Sequence, residues 1–270
     1  MVNVAELADR LIAAYDNATT LAPLTQEAPD FDVDTAYAVL AEIERRRRAQ
    51  GWQPVGRKIG FTNRTIWPRY GVYRPMWAHT WRHTVQDAVD GRATLELDRF
   101  VQPRIEPEVV FGLARPVPDT NDAVEVLRHV AWIAPGFEIV QSHFPGWRFM
   151  APDCTAAFGL HGALVVGSRV PVTDANRAAL AAMLPCFEVT LRRGNDIVDR
   201  GVGANVLDSP ALALAHLARV LRDLPAFPAL AAGELVTTGT ITDAWPVSRG
   251  ETWTSDYGAL GLESLQWQFV

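Results

Sequence analysis

Two glutamates separated by a single residue, Glu106 and Glu108, lie in the otherwise apolar segment RIEPEVVFGL (104–113). Side chains two residues apart in a β-strand point to the same face, so the two carboxylates would project together, about 7 Å apart along the strand. Pro107 has no N–H to give to a strand ladder, which favours an edge, a bulge or a strand start, where a sheet meets a site. The spacing therefore predicts two carboxylates aimed at one place.

A third acid, Glu138, occurs in an equally apolar segment, GFEIV (136–140). Burying an uncompensated carboxylate is costly, so such groups are exposed, share a proton or hold a cation. Three hard oxygen donors on neighbouring strands suit Mg²⁺ or Mn²⁺ and leave coordination positions for water and a chelating substrate. The residues alone also leave open the simpler alternative of solvated glutamates at a strand edge.

These acids belong to a succession of strand signals that follows two N-terminal helices. Apolar residues at helical spacing predict a first helix around Leu7, Leu11 and Ala14 and a second over 34–50. Short apolar segments bounded by Gly and Pro predict strands at 55–61, 93–100, 107–114, 136–144, 161–168, 187–194 and 264–270. Further helices are predicted at about 120–134, 174–184 and 209–224. Runs of strands with few helices predict an α+β fold, with a helical segment at 1–54 packed on a largely β domain at 55–270.

Composition limits the class of protein. With 270 residues, 49% hydrophobic and 21% charged, the chain can bury a core, which excludes disordered and fibrous classes. The net charge of −6 offers no general positive field, and the run RRRR (45–48) follows Glu42 and Glu44 at helical spacing, so we expect a solvated helix face and no nucleic-acid partner. Cys154 and Cys186 have no metal-ligand spacing, and no segment approaches the ~20 apolar residues that cross a bilayer. We therefore expect a cytoplasmic protein without a membrane partner.

Four blocks in order resemble one known family. They are GRKIGFTN (56–63), RIEPEVVFGL with Glu138 about thirty residues on, RGVGANVLDSPALALAHLARVL (200–221) and LAAGELVTTGTITDAWPVSRGETWTSDYGALGLESLQWQF (230–269). Together they resemble the 2-keto-4-pentenoate hydratase and 4-oxalocrotonate decarboxylase family of the fumarylacetoacetase superfamily, from about residue 55 to the end of the sequence. The order and spacing of the blocks make the resemblance more specific than any one of them.

The resemblance implies a mixed β-roll fold, with a Mg²⁺ or Mn²⁺ ion held by Glu106, Glu108 and Glu138. It also implies a 2-oxo acid bound to that ion through its carboxylate and keto oxygens. Lys58 matches the lysine of the family's G-x-K-x-G block, where an ammonium group would stabilise negative charge on the substrate. Thr240 matches the hydroxyl residue of the TGT turn, a donor to the substrate carboxylate. The family is oligomeric, so we expect a homo-oligomer, with a possible complex between a hydratase and a decarboxylase.

One departure from the family's pattern concerns the general base. Hydratases of the family usually carry an acid where this chain has Met76, in the block GVYRPMW (71–77). Proton transfer would then need another group, and the nearby His79 or His83 could serve, since imidazole titrates near neutrality. Their HxxxH spacing could alternatively ligate a metal, and a simple packed or exposed histidine is the other alternative for each.

A second departure lies in a polar region of the family that here reads DCTAAFG (153–159). Asp153 and Thr155 remain as candidate substrate-binding residues, whereas alanines replace serines, so we expect a less polar pocket there. A bulkier or aromatic substrate tail is suggested by three tryptophans beside the altered base block: Trp67, Trp77 and Trp81. Tryptophans are also common core or interface anchors, which is the alternative interpretation.

The resemblance leads to a metal-dependent hydratase that adds water to a 2-hydroxy-2,4-dienoate and gives a 4-hydroxy-2-oxo acid, in the meta-cleavage breakdown of aromatic compounds. Chelation would stabilise the negative charge that develops on the 2-oxygen. The missing acid strengthens an alternative, a 4-oxalocrotonate-type decarboxylase of 2-oxo-3-enedioates, because loss of CO₂ needs no base to remove a proton. Two further alternatives are an acylpyruvate hydrolase, whose lid motif H-x-x-E the sequence lacks, and a catalytically idle relative that binds a 2-oxo acid.

Overall fold

The computed structural model describes residues 2–64, 67–70 and 72–270. Met1, in the predicted N-terminal segment, and Gly71, the first residue of the GVYRPMW block, lie outside the described residues. The helices found in these ranges are α1 (Val4–Asp16), α2 (Leu24–Glu27), α3 (Val33–Ala49), α4 (Trp67–Tyr70), α5 (Ala123–Leu127), α6 (Ala151–Ala156), α7 (Arg177–Met183) and α8 (Pro210–Arg222). The strands are β1 (Pro54–Gly60), β2 (Met76–Trp81), β3 (Val85–Asp87), β4 (Arg92–Leu95), β5 (Arg104–Leu113), β6 (Val130–Val140), β7 (His161–Val166), β8 (Val170–Pro171), β9 (Glu188–Arg193), β10 (Asp196–Val202), β11 (Leu235–Thr237), β12 (Trp245–Pro246), β13 (Thr252–Asp256) and β14 (Leu265–Phe269).

The strands form two mixed sheets. The larger has the order β2-β1-β11-β5-β6-β7-β3, with β12 paired to β5 and β8 paired to β6. Its β1–β11 and β3–β7 pairs are parallel. The smaller sheet has the order β10-β9-β13-β14-β4, with a parallel β14–β4 pair. Mixed sheets accompanied by a few helices confirm the predicted α+β fold class. The mixed β-roll arrangement stays a prediction.

The central strands β5 and β6 use one face to contact the smaller sheet. Ile105 and Ile139 on that face belong to the same buried cluster as Trp267 of β14. Because side chains alternate along a strand, Glu106 and Glu138 project from the opposite face. The β5–β6 pair is therefore the element that separates an apolar sheet contact from an acidic site.

The N-terminal helices cover the sheet near α6. Helix α1 contacts α3, and α3 contacts α6. Leu11 of α1, Ile43 of α3 and Phe158, just after α6, belong to one buried cluster. The helical segment thus shares a core with residues of the β domain, and the predicted division after residue 54 stays a prediction.

The arginine run at the end of α3 is not uniformly solvated. Arg46 pairs with Glu42 on the helix surface. Arg47 is buried, bonds Asp16 of α1 at 2.5 Å and lies over the ring of Trp52 at 4.2 Å. The prediction of a solvated helix face is therefore wrong for Arg47, because its guanidinium joins two helices through a paired charge and an aromatic contact.

Several predicted boundaries are wrong, although the remaining predicted elements lie within a few residues of those observed. The helix expected over 120–134 is confirmed only as α5, because residues 130–134 belong to β6, which pairs along β5. The strand expected over 93–100 ends at Leu95, where its partner β14 also ends. The strand expected over 136–144 is the second half of β6 and ends at Val140. Within the described ranges, no helix combines the length and apolar character required to traverse a bilayer.

Candidate active site

Three glutamates meet on one face of the β5–β6 pair. Glu106 lies directly opposite Glu138 in the antiparallel register, and Glu108 lies opposite Gly136. One carboxylate oxygen from each glutamate lies within 4.8 Å of the others. Glu108 and Glu138 are fully buried, whereas Glu106 is half-buried and faces a cavity. The structure thus brings together the three residues that the sequence singled out as metal ligands.

Lys58 places an ammonium group against this cluster. Strand β1 reaches the site through β11, where Lys58 pairs with Thr237 and Thr237 pairs with Val110 of β5. The Lys58 Nζ lies 3.4 Å from Glu138 Oε2, and the side chain is only 3% exposed. Burial acts to lower the pKa of Lys58, but the charges of the three glutamates outweigh it and raise this pKa above its ordinary value. Lys58 is therefore cationic at neutral pH.

One ammonium group does not neutralise three carboxylates, and the pKa values of the glutamates diverge. Burial raises the pKa of Glu106 to about 7, against the opposing charge of Lys58. Burial and the charges of Glu138 and Glu106 raise the pKa of Glu108 well above its ordinary value. For Glu138, burial also acts upward, but Lys58 and His161 outweigh it and lower the pKa. Without a cation, the cluster therefore retains protons near neutral pH.

Glu138 forms a hydrogen bond with His161, a residue that the sequence analysis did not single out. His161 Nδ1 lies 2.7 Å from Glu138 Oε1, and His161 Nε2 lies 2.8 Å from Thr84 Oγ1. A carboxylate only accepts, so Nδ1 donates to Glu138. No spacing in the sequence could have shown this contact, since the β6–β7 register shifts between Ile139 and Val140 just before His161.

The turn after β11 holds Glu108. The backbone N–H of Gly239 donates to Glu108 Oε2 at 2.7 Å. Gly239 has a φ of +99°, and a Cβ on it would lie 2.0 Å from Thr62 Oγ1, so only glycine fits there. Thr240 follows it, lines the cavity and donates its hydroxyl to the carbonyl of Thr242 at 2.9 Å. Its role as a substrate-carboxylate donor stays a prediction.

A cavity of about 150 Å³ opens in front of Lys58 and Glu106. The apolar part of its wall includes Phe61, Met76 and Trp147. Asp243, an exposed residue that also lines it, was not among the predicted site residues, although it lies in the TGTITDAW segment that follows the glycine turn. Trp77 and Trp81 are 0% and 2% exposed, so the alternative interpretation as core anchors holds for these two, and the bulkier substrate tail stays a prediction.

His79 does not face this cavity. In the β1–β2 register, His79 pairs with Arg57, whereas Ala78 pairs with Lys58, so the imidazole projects from the opposite face of the sheet. There its Nδ1 lies 2.5 Å from Glu44 Oε1 of α3, and the side chain is 3% exposed. The structure therefore places His79 as a buried packing residue and gives no support to its predicted role as the base.

His83 also lies apart from the glutamates. It sits in the turn after β2, is exposed, and packs its ring against Trp52 with centroids 4.1 Å apart. The HxxxH spacing does not form a metal site in the described part of the chain, where the group of His, Cys, Asp and Glu residues close enough to hold an ion is the glutamate cluster.

Asp153 and Thr155 are likewise not in the cavity in front of Lys58. The buried carboxylate of Asp153 accepts hydrogen bonds from Thr25 N at 2.9 Å, Thr25 Oγ1 at 2.7 Å and Met150 N at 2.9 Å. These bonds tie α2 to α6, so Asp153 has a structural contact in place of the predicted substrate contact. Thr155 lines a second cavity, and its hydroxyl donates to Met76 Sδ at 3.8 Å.

A family model described as the fumarylacetoacetate (FAA) hydrolase C-terminal matches residues 81–262. A 2-keto-4-pentenoate hydratase of Paraburkholderia xenovorans (strain LB400) is 31% identical over 95% of this chain and 91% of that protein. A 2-hydroxyhexa-2,4-dienoate hydratase of Comamonas testosteroni is 30% identical over 95% of this chain and 94% of that protein. Among solved structures, the 4-oxalocrotonate decarboxylase from Pseudomonas putida G7, complexed with magnesium and adipate, has a TM-score of 0.89 at 24% identity and covers 100% of this chain and 99% of that chain. The likeness to that structure shows a shared fold.

Proposed function

The chain belongs to the fumarylacetoacetate hydrolase C-terminal family, and from this premise we propose that it is a divalent-metal-dependent hydratase. Its substrate would be a 2-hydroxy-2,4-dienoate, to which it adds water to give a 4-hydroxy-2-oxo acid. The hydratase names of the two relatives that match 95% of the chain support this reaction. The observation that carries the proposal is the cluster of three carboxylates beside the buried ammonium of Lys58.

The glutamate cluster fits a divalent cation such as Mg²⁺ or Mn²⁺. Its three carboxylates offer hard oxygen donors within 4.8 Å of one another. Glu108 Oε1 is buried and has no hydrogen-bond partner among the described residues. A buried polar atom normally has a partner, so this oxygen is available to coordinate an ion. Glu106, Glu108 and Glu138 would hold the cation. The ion, when bound, supplies Lewis acidity that stabilises negative charge on the 2-oxygen of the substrate.

Two protein groups would act on the head of the substrate. The ammonium of Lys58 stays charged beside the cluster and would stabilise the developing negative charge from the protein side. Thr240, on the cavity wall, would turn its hydroxyl from the carbonyl of Thr242 to donate a hydrogen bond to the substrate carboxylate. Asp153 and the two histidines near β2 have no part in this proposal, because their side chains are directed elsewhere.

Asp243 is our candidate for activating the water. Among the described residues of the cavity wall, it is the acid that lies outside the glutamate cluster. Its backbone N–H donates to Asp199 Oδ2 at 3.0 Å, which fixes the position of this segment. The dienol first ketonises by protonation at C5 to the 2-oxo-3-enoate, in which C4 is electrophilic. A carboxylate at the exposed mouth can then accept the proton of a water molecule as its oxygen adds to C4, while the electron pair moves to the 2-oxygen and the resulting enolate takes up a proton at C3. Asp243 would thereby replace the acid that the hydratase pattern expects where this chain has Met76.

Met76 in the cavity wall favours a second candidate, a decarboxylase of 2-oxo-3-enedioates. Loss of CO₂ leaves an electron pair in the enolate without removal of a proton by a base. A thioether at that position would therefore impair hydration more than decarboxylation.

Product analysis separates the two candidates. We expect the Mg²⁺-loaded protein to convert 2-hydroxypenta-2,4-dienoate to 4-hydroxy-2-oxopentanoate, observed by NMR, and to release no CO₂ from 4-oxalocrotonate. Asp243→Asn should lower kcat for hydration by at least about 100-fold, the usual contribution of a general base, while metal affinity is retained. Asp256→Asn, at an exposed aspartate outside the cavity wall, is the matched control.

Three results would contradict the hydratase. CO₂ release without hydration would establish the decarboxylase, and pyruvate with a carboxylic acid from fumarylpyruvate would establish the hydrolase. Tight oxalate binding with metal, but no turnover of any dienoate, would indicate an idle relative.

Family membership also supports four further features that the sequence predicted. We infer a mixed β-roll arrangement of the sheets, a homo-oligomer and a cytoplasmic location. A complex with a related hydratase or decarboxylase belongs to the same set of inferences.

A further inference from the structure

A second cavity, of about 400 Å³, lies beside the one of about 150 Å³ in front of Lys58. Phe61 and Met76 line both cavities and therefore form the wall between them. The smaller cavity has room for the oxo-acid head of a substrate. A larger substrate tail must extend out of the smaller cavity. The larger cavity is adjacent to it, across Phe61 and Met76.

Met76 spans the wall between the two cavities. Its Sδ accepts a hydrogen bond from Thr155, a residue of the larger cavity, at 3.8 Å. Its Cε lies 2.7 Å from the position that a Cβ on Gly60 would take, and that position is 3.5 Å from Lys58 Nζ. The Met76 side chain thus extends from Thr155 in the larger cavity toward the Nζ of Lys58 in the smaller one. A methionine has three rotatable bonds and adapts to what it contacts, so this wall can move without a change of backbone.

The lining of the larger cavity favours an uncharged occupant. Val33 and Tyr37 of α3, together with Ala151 of α6, give it an apolar and aromatic surface. Its charged residues are Asp32, Asp34 and Arg74, and Arg74 already pairs with Asp34 at 3.2 Å.

A carboxylate tail would therefore meet two acids and an arginine that is already paired, which opposes its burial. An alkyl or aryl tail loses water-exposed apolar surface there and binds more tightly.

We propose that the larger cavity is the subsite for the tail of the dienoate, that this tail is an uncharged alkyl or aryl group, and that Met76 is the movable wall through which it passes. The inference rests on the proposed function, because it assigns the head of the substrate to the cavity in front of Lys58. It also specifies the substrate class further: a monocarboxylic dienoate with an apolar substituent at its far end, in contrast to a dianionic enedioate.

The test compares three dienoates that differ at the far end. With Mg²⁺ present, kcat/KM is measured for 2-hydroxypenta-2,4-dienoate, its 5-phenyl derivative and the dianion 2-hydroxyhexa-2,4-dienedioate. We expect the phenyl derivative to exceed the unsubstituted compound by at least about ten-fold, the effect of a few buried apolar atoms. The dianion should fall below the unsubstituted compound. Binding of the unreactive acids 2-oxo-5-phenylpentanoate and 2-oxopentanoate, measured by calorimetry, should show the same preference for the phenyl tail.

Variants of the cavity wall supply the decisive comparison. Val33→Trp fills the larger cavity and should reduce the phenyl-to-unsubstituted ratio by about ten-fold. Ile197→Trp, at a residue of β10 that is 45% exposed and lines neither cavity, is the matched control and should leave the ratio unchanged. Asp34→Asn should improve the dianion relative to the other two substrates. The control for this charge change is Asp174→Asn, which removes the acid of a similar surface pair with Arg177.

The possible outcomes distinguish the subsite from the reaction. A phenyl-to-unsubstituted ratio near one, or a ratio that Val33→Trp leaves unchanged in a folded protein, would overturn the tail subsite even if hydration is observed. Absence of turnover on all three dienoates would overturn the proposed function. The subsite would then be supported if 2-oxo-5-phenylpentanoate still bound more tightly than 2-oxopentanoate and Val33→Trp removed that difference. A higher kcat/KM for the dianion than for the phenyl derivative would contradict the charge argument.

Discussion

Glu106 and Glu108 lie two residues apart on one strand face, yet they occupy different depths of the site. Glu106 reaches the cavity, whereas Glu108 is fully buried and bonds the N–H of Gly239. If these carboxylates hold the proposed cation, the ion would enter from the cavity past Glu106 and be shielded from bulk water on the side of the two buried acids. Glu106 would then provide access, and Glu108 would provide a rigidly held donor.

Neutralising either acid should remove metal-dependent activity. Glu106→Gln and Glu108→Gln each take one negative charge and one strong oxygen donor from the cluster, so we expect loss of Mg²⁺ binding by calorimetry together with loss of turnover. The matched control is Glu96→Gln, at an exposed glutamate outside the site. Near-normal turnover in both variants would remove the metal assignment.

His161 should act on the metal through Glu138. Removing the imidazole in His161→Ala frees a ligand that it now orients, so we expect metal affinity to fall by about 10–100-fold, the usual effect of losing such a partner. His161→Asn keeps an N–H near the position of Nδ1 and should recover part of the affinity. His83→Ala, which removes an exposed ring, is the control and should not alter metal affinity. Equal affinity in His161→Ala and the wild type would show that Glu138 does not depend on His161 for its position.

At the scale of elements, the β1–β2 pair separates two kinds of charged residue. Lys58 faces the glutamates, and on the other face Arg57 lies against Glu234 at 3.2 Å while His79 lies against Glu44 of α3. β1 thus supplies the cation of the site through Lys58, and β2 supplies a buried attachment for the N-terminal helices through His79. Shifting the register of β1 by one residue would exchange these roles.

His79→Gln tests whether this face is structural. The substitution weakens the buried contact with Glu44 and leaves part of a polar group unsatisfied, which costs about 1–3 kcal/mol of unfolding free energy. We expect a lower midpoint of thermal unfolding with kcat within about two-fold of wild type. A large loss of kcat at unchanged stability would restore His79 as a candidate base.

At the scale of the whole molecule, the cation should link pH to stability. The folded, metal-free protein raises the pKa of Glu106 from 4.5 to about 7, so between these values the folded state holds a proton that the unfolded state has lost. The unfolding free energy of the metal-free protein should therefore decrease as pH rises from about 4.5 to about 7, by up to about 1.4 kcal/mol per pH unit for one proton. A cation binds the deprotonated carboxylates and should stabilise the fold more at the upper end of this range.

Thermal unfolding with Mg²⁺ or with EDTA checks this linkage. The metal-induced rise in Tm should be larger at about pH 8 than at about pH 5.5. Glu106→Gln should reduce the pH dependence, because its amide does not titrate. The same metal-induced rise at both pH values in the wild type would contradict the assigned protonation of the cluster.

The sequence by itself determined features that depend on local periodicity. The two-residue period of a strand aims Glu106 and Glu108 at one place, and the helical spacing of apolar residues gives α1, α3 and α8. The four blocks identified the family. The helix expected over 120–134 was predicted too long, since pairing with β5 makes its last residues, 130–134, part of β6.

The tertiary structure decided which residues share a site, because that depends on the register and facing of partners far apart in the chain. The β5–β6 register sets Glu138 against Glu106, and a register shift brings His161 to Glu138. The same facing rule sends His79 to the far side of the sheet, although it is close to Met76 in sequence. Local spacing fixes the direction of a side chain relative to its own strand, whereas only the packed sheet fixes what that direction meets.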